Sequence, residues 1–366
     1  MDTLTHALSG ALLARALTPS ARRAAARPLS DRARNVFGPE VPVWQALVVG
    51  LVAGAFPDSD VVLKYVSDIA YLRGHRGVTH SLVMLPLWAL LLGGLASLAF
   101  RRREAFRRYA WLAAAGVAIH IAGDWITQFG TMLLAPLSDA RFGLGSVFII
   151  DLIFSGIIVA GLVASALLWR SRVPALLALA LLPAYVGVTV IGKQEAISFA
   201  HDWAQRQGIT AVTIDAAPRP ASPFNWSVFV FDGAQYHVAH VNTRRSEPLR
   251  AGPDDFFVRR FSAPYQPLAS ATWERWAKFG AAGDDAVARE VWQHPRFDFF
   301  RWFAMYPLVY RVERSAAETC VWYRDLRFAF PGRDSVPFRF GMCRNGEGSE
   351  WSLYALDDIA GRAALR

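Results

Sequence analysis

Two histidines, an arginine, two glycines and two hydroxyls crowd into Gly74-His75-Arg76-Gly77-Val78-Thr79-His80-Ser81. Imidazole nitrogens bind divalent metals, a guanidinium binds anions, and hydroxyls hold either in place. A long apolar run starts directly after Ser81. Ligand-type chemistry this dense at the mouth of a membrane span points to a metal centre. Other stretches supply the same chemistry. His120-Ile121-Ala122-Gly123-Asp124 puts a histidine and a carboxylate on one helix face. A carboxylate left alone in lipid costs on the order of a few kcal/mol, so Asp124 must face a partner. Read by itself, the pair is either an intramembrane His–Asp hydrogen bond or part of a ligand set. Asp58-Ser59-Asp60 follows Pro57; alone it is a cap-and-turn signature, and beside the histidine pair it is a second source of carboxylates. His6 alone is an ordinary helix histidine, and Asp2 an N-terminal capping charge. Asp151 is a ligand, a carboxylate holding a histidine, or a helix–helix partner. Arg76 is placed to meet an anion such as a phosphate, or to pair with Asp68. Thr79 and Ser81 cap the span or support the ligands.

Together these residues form a mixed histidine and carboxylate set. His6, Asp58, His75, His80, His120 and Asp124 are the candidate metal ligands, and Asp60, Arg76 and Asp151 the candidate catalytic residues around them. Such a set suits Zn²⁺, Mn²⁺ or Fe²⁺ and, with no cysteine near, excludes thiolate-only sites. Six candidate ligands exceed one tetrahedral site, so one or two divalent ions are expected. Two metals bridged by a carboxylate and activating a water would suit phosphoester hydrolysis.

The elements that carry these residues are mostly apolar. The chain has 366 residues, 54% of them hydrophobic, and the excess is concentrated in the first half. Residues 3–17 and 43–56 are short apolar helices, each below the roughly 20 residues a bilayer core requires. Four clear spans follow: Ser81–Phe100, Tyr109–Thr127, Val147–Trp169 and Val173–Ile191, the last interrupted by Pro183. No cleavable signal peptide is expected, since Met1-Asp2 opens without a basic region.

Charge orients the spans. The net charge is +9, and its arginines cluster between apolar runs, so topology accounts for them and nucleic acid is excluded as a partner. Arg15, Arg22, Arg23, Arg27, Arg32 and Arg34 (opposed only by Asp31), then Arg101–Arg108, then Arg170 and Arg172 mark cytoplasmic connections. Alternation then carries His6, Asp58, Asp60, His75, His80, His120, Asp124 and Asp151 to the outer ends of their segments, at one level. The inner halves of the spans are almost free of acids and histidines, which argues against an ion path across the bilayer.

After Lys193 the pattern changes. Residues 193–204 read as a linker and 205–366 as a soluble, mostly β domain on the same outer side, periplasmic or extracellular. Trp226–Phe231, the turn Asp232-Gly233, Tyr236–Val241, Tyr306–Val312, Cys320–Tyr323 and Leu326–Phe330 read as strands. Cys320 and Cys343 are either a disulfide, which that compartment would allow, or two inert thiols. His201, His237, His240 and His294 each read as ordinary. The fold class expected is a mainly α polytopic membrane bundle over residues 1–192, followed by this α+β domain.

The opening Met1-Asp2-Thr3-Leu4-Thr5-His6-Ala7-Leu8-Ser9-Gly10, Phe56-Pro57-Asp58-Ser59-Asp60, His75-Arg76-Gly77-Val78-Thr79-His80-Ser81 and His120-x3-Asp124, in that order, resemble the membrane-bound metal-dependent hydrolase family (YdjM-like) over about the first 190 residues. The resemblance implies a multi-span bacterial inner-membrane protein with a hydrolytic metal site. The expected function is hydrolysis, by metal-activated water, of a phosphoester or other bond in a lipid or amphiphile at the outer face of that membrane, with membrane lipids as partners. The rival is a metal-binding membrane protein without catalysis: a transporter, a sensor or a scaffold.

Overall fold

Glycine sets the geometry of the first helices. A Cβ on Gly10 would lie 2.1 Å from Gly50 O, and one on Gly54 2.5 Å from His6 O. Without side chains at these positions, the helix Thr3–Leu17 (α1) and the helix Val43–Ala55 (α2) pack backbone to backbone. Gly116 brings a third helix, Phe106–Trp125 (α5), equally close: a Cβ there would lie 2.7 Å from that of Ala53. In this computed structural model, residues 1–19, 30, 36–168, 171–332, 336–346, 348–357 and 361–365 are described. Arg22, Arg23, Arg27, Asp31, Arg32, Arg34 and Arg170, on which the charge argument drew, lie outside them.

The chain divides into two compact units: Met1–Val62 with Gly74–Ile191, and Leu63–Arg73 with Gly192–Arg366. In the first unit, α1, α2 and α5 are joined by Leu85–Ala99 (α4) and Leu152–Leu167 (α6). Val173–Arg206 (α7) begins in this unit and ends in the second. Tyr109, Leu112, Ala113 and Val117 of α5 pack on Ala46, Val49 and Ala53 of α2 in one buried cluster. Leu87, Leu90, Leu91, Leu95 and Leu98 of α4 stay exposed, as a lipid-facing helix requires.

Among the described residues, two helices are candidates to cross a membrane by length and hydropathy, Val43–Tyr65 and Val173–Arg206; a third is added if the bent pair of Asp68–His80, which opens with the helix Asp68–Gly74 (α3), and Leu85–Ala99 is one broken span. Of the four expected spans, Val173–Ile191 lies within one of these helices and Ser81–Phe100 counts only as part of the bent pair; the other two are not among the candidates. Ser81–Phe100 contains a 15-residue helix and Val147–Trp169 a 16-residue one. Tyr109–Thr127 does fold as a helix of 20 residues, Phe106–Trp125, but Arg107, Arg108, His120 and Asp124 lower its hydropathy. Conversely, the run 43–56 does not end at Pro57. Proline removes a donor from the α ladder, and the chain tightens into a 3-10 helix, Phe56–Tyr65.

The second unit contains two sheets. The first has β1 (Thr213–Pro218), β2 (Asn225–Phe231) and β3 (Gln235–Asn242) in antiparallel order; β5 (Trp273–Ala277) also pairs with β3, and β4 (Gln266–Pro267) adds a short parallel pairing. The second is an antiparallel meander of β6 (Pro307–Arg314), β7 (Thr319–Asp325), β8 (Arg339–Arg344), β9 (Ser352–Asp357) and β10 (Gly361–Ala364). Residues 193–204, expected as a linker, continue α7. Ala196, Ala200 and Ala204 recur at four-residue spacing and bury against Trp226, Val228 and Val230. Leu326–Phe330 is not a strand either. Asp325 accepts the Arg327 N–H at 2.9 Å and turns Leu326–Phe328 into a 3-10 helix. Cys320 and Cys343 are register partners on β7 and β8 and form a disulfide.

Candidate metal centre

Each motif of the first unit ends in a side chain that meets the others. Asp58 comes from the 3-10 helix after α2, His80 from the short 3-10 turn Val78–His80, and His120 and Asp124 from one face of α5. These four offer ligand atoms that all lie within 4.8 Å of one another. His80, His120 and Asp124 are fully buried, and Asp58 is 14% exposed.

Hydrogen bonds on the far side of each ring fix its chemistry. His120 Nδ1 lies 2.6 Å from Gly54 O, and a carbonyl only accepts, so Nδ1 carries the proton and Nε2 presents a lone pair. The close approach of α2 and α5 at Gly116 puts that carbonyl in reach. His80 Nδ1 lies 3.0 Å from Thr79 Oγ1 and 3.4 Å from Asp60 Oδ2, and the Thr79 hydroxyl donates to the same Asp60 oxygen. His80 Nε2 therefore also points inward, 3.0 Å from His120 Nε2. Two lone pairs that close repel unless a proton or a cation lies between them.

The carboxylates complete the set. Asp124 Oδ2 is 3.2 Å from His80 Nε2 and 3.6 Å from His120 Nε2, yet it is a buried oxygen that accepts no hydrogen bond. Asp58 Oδ1 is 3.7 Å from both nitrogens, while Asp58 Oδ2 accepts the Thr3 hydroxyl at 2.6 Å. Two bare imidazole nitrogens, a bare buried carboxylate oxygen and a second carboxylate at one point fit a divalent metal.

The remaining predicted residues surround this group. His6 stacks on His120 with ring centroids 3.7 Å apart and reaches Asp124 Oδ1 at 3.0 Å; it is not one of the four. The Met1 amino group contacts the same oxygen. Arg76 does not pair with Asp68. Its Nη2 lies 3.0 Å from Asp124 Oδ1, its Nη1 donates to Thr127 Oγ1 at 2.8 Å, and its guanidinium covers the Phe129 ring. Arg76 has φ +62°, unusual for a residue with a side chain, and its N–H donates to Asp60 Oδ2 at 3.0 Å. His75 stays outside the four as well: its Nδ1 donates to Asp60 Oδ1 at 2.9 Å, and its side chain is 18% exposed. One carboxylate, Asp60, thus organises the whole loop from His75 to His80. Asp151 caps α6, accepting Ile153 N and Phe154 N, and takes the Tyr185 hydroxyl at 2.7 Å. Ser81 ties the loop to Ala135 O and Leu133 O.

Sequence reasoning missed Thr3, Gly54 and Thr127. Thr3 stands one helical turn before His6, a spacing that could have placed it on the same face. The Gly54 carbonyl carried no signal, since its role comes from the backbone. In the second unit, His237 pairs with Asp232, His240 with Ser227, and His294 caps Arg296 N. Glu318 lies near Cys320 and Cys343, but those sulfurs are bonded to each other and offer no thiolate.

The protein is 27% identical over 152 residues to the uncharacterized protein YfhP of Bacillus subtilis (strain 168), a stretch covering 41% of this chain and 42% of that one. No solved structure matches. The model of the YdjM inner membrane protein family matches residues 1–196, which include every residue of the buried histidine–aspartate group. More than half of the chain lies in that match, and the chain belongs to the YdjM inner membrane protein family.

Proposed function

We propose that this chain is an integral membrane hydrolase that uses one or two divalent ions, Zn²⁺, Mn²⁺ or Fe²⁺, to cleave a phosphoester or other bond of a lipid or amphiphile. The observation that carries the reading is the convergence of Asp58, His80, His120 and Asp124 on one point, with both Nε2 atoms bare. A divalent cation held there would supply Lewis acidity and a water of lowered pKa.

The protein's own groups have distinct tasks in this reading. Gly54 O and the Thr79–Asp60 pair hold the two rings in the tautomers that present Nε2. Arg76 and His6 occupy Asp124 Oδ1, so that only Oδ2 faces the centre. Asp58 and His75 are the partly exposed members, the position from which side chains meet an incoming substrate. His75, backed by Asp60, is the group best placed to orient the scissile bond. The remaining charge of the Arg76 guanidinium is spent on Asp124, so the anionic head group would be met by the metal itself.

A centre built at helix ends favours a substrate that diffuses in the bilayer. The second unit is assigned to the extracytoplasmic side. The arginines of the 101–108 connection support this by the positive-inside rule, and the Cys320–Cys343 disulfide fits an oxidising compartment. The test is turnover. Wild type, His75→Ala and Asp58→Asn, each in lipid nanodiscs and loaded in turn with Zn²⁺, Mn²⁺ and Fe²⁺, are assayed on phospholipids and soluble phosphoesters. Turnover by wild type, falling at least about 100-fold in Asp58→Asn, is expected. Full metal loading with no turnover on any substrate would instead support metal binding without catalysis.

A further inference from the structure

The second unit contains a cavity of about 340 Å³, within the range of roughly 300–1,000 Å³ typical of small-molecule sites. One wall is a single helical face. Phe257 and Arg260 of the helix Phe257–Ser262 are three residues apart, Phe257 and Phe261 four, and all three line it. Tyr265 and Phe330 close the other sides. Among the described residues that line it, Arg260 is the one charged side chain. Its neighbour Arg259 is paired with Asp255 and with Arg250 O, whereas Arg260 has no ion pair among the described residues. Both walls are pinned from behind. Arg245 donates to Tyr265 O at 2.6 Å and Ser262 O at 3.1 Å, and Asn225 donates to Ser262 Oγ at 3.0 Å. Arg219 is fully buried, donates to Arg327 O at 2.7 Å and stacks 4.8 Å from the Phe330 ring.

We propose that this cavity binds an anionic amphiphile, with its carboxylate or phosphate on Arg260 and its hydrocarbon against Phe257, Phe261 and Phe330. A rigid aromatic wall takes an apolar chain, and an exposed guanidinium at its edge takes an anion. The proposal is independent of the metal centre: it concerns only the second unit and would hold whether or not the first unit is catalytic.

The test uses the full chain in phosphatidylcholine nanodiscs, a dodecanoic acid carrying a diazirine as photolabel, and mass-spectrometric mapping of the labelled peptides. Label is expected on residues 257–265 and 330–332. Dodecyl phosphate should compete, whereas inorganic phosphate and dodecyltrimethylammonium should not. Arg260→Glu, on an exposed side chain that leaves the fold intact, should weaken labelling there about tenfold. Phe261→Ala should weaken competition by dodecyl phosphate. Label confined to the membrane helices, unchanged labelling in Arg260→Glu, or inorganic phosphate competing as well as dodecyl phosphate would each overturn the proposal.

Discussion

At His120, one hydrogen bond decides which nitrogen is available. Gly54 O takes the Nδ1 proton, and Nε2 is turned to the centre. Asp60 does the same for the loop, holding His75, the Arg76 N–H and Thr79 at once. Carboxylates behind metal-bound histidines typically contribute about 10- to 100-fold in affinity. Asp60→Asn, which keeps the size and loses the charge, is therefore expected to weaken metal binding by about that factor while the protein stays folded, as read by titration with a metal-sensitive dye. The histidines and acids themselves were legible in the sequence, because an ionisable residue near a span needs a partner. Their division of labour was not. Nothing in the spacing of His75 and His80 says that one faces His120 and the other Asp60. That follows from the left-handed turn at Arg76, a backbone feature that arginine does not announce.

At the scale of elements, the centre depends on α1, α2 and α5 approaching more closely than side chains would allow. Gly54→Ala would put a methyl group 2.5 Å from His6 O and move the carbonyl that orients His120. The expected cost is about 1–3 kcal/mol of stability together with weaker metal binding, checked by thermal denaturation and metal titration in parallel. The Asp232-Gly233 hairpin between β2 and β3 was legible because turn chemistry and alternation agree there. The strand expected at Leu326–Phe330 is a 3-10 turn instead, because hydrophobic pattern reports a buried face while a capping aspartate decides the backbone. Within the first sheet, burial and then the nearby Arg219 lower the His240 pKa from about 6.5 to about 3. Between those values the unfolded chain binds a proton that the folded one does not, so stability falls as pH drops from about 6.5 towards 3. Differential scanning fluorimetry from pH 7 to pH 4 should show this loss, and His240→Gln should reduce it.

For the whole molecule, helices distant in sequence bring four ligand-type residues from three motifs to one buried point, in a chain that belongs to an inner-membrane family. The order of those motifs and the change in composition near residue 193 made the broad plan legible. Of the four spans expected, Val173–Ile191 lies within a helix long and apolar enough to cross a membrane, and Ser81–Phe100 counts only as part of a bent pair, because the chain breaks before Leu85. Metal content decides whether the buried group is a metal site. Wild type and the variants Asp58→Ala, His80→Ala, His120→Ala and Asp124→Ala are purified without chelator, dialysed, and assayed by inductively coupled plasma mass spectrometry alongside a folding check. Stoichiometric Zn, Mn or Fe is expected in wild type, with loss of most of it in each folded variant. A folded wild type without transition metal even after incubation with each ion, or variants that load as fully as wild type, would contradict the metal site.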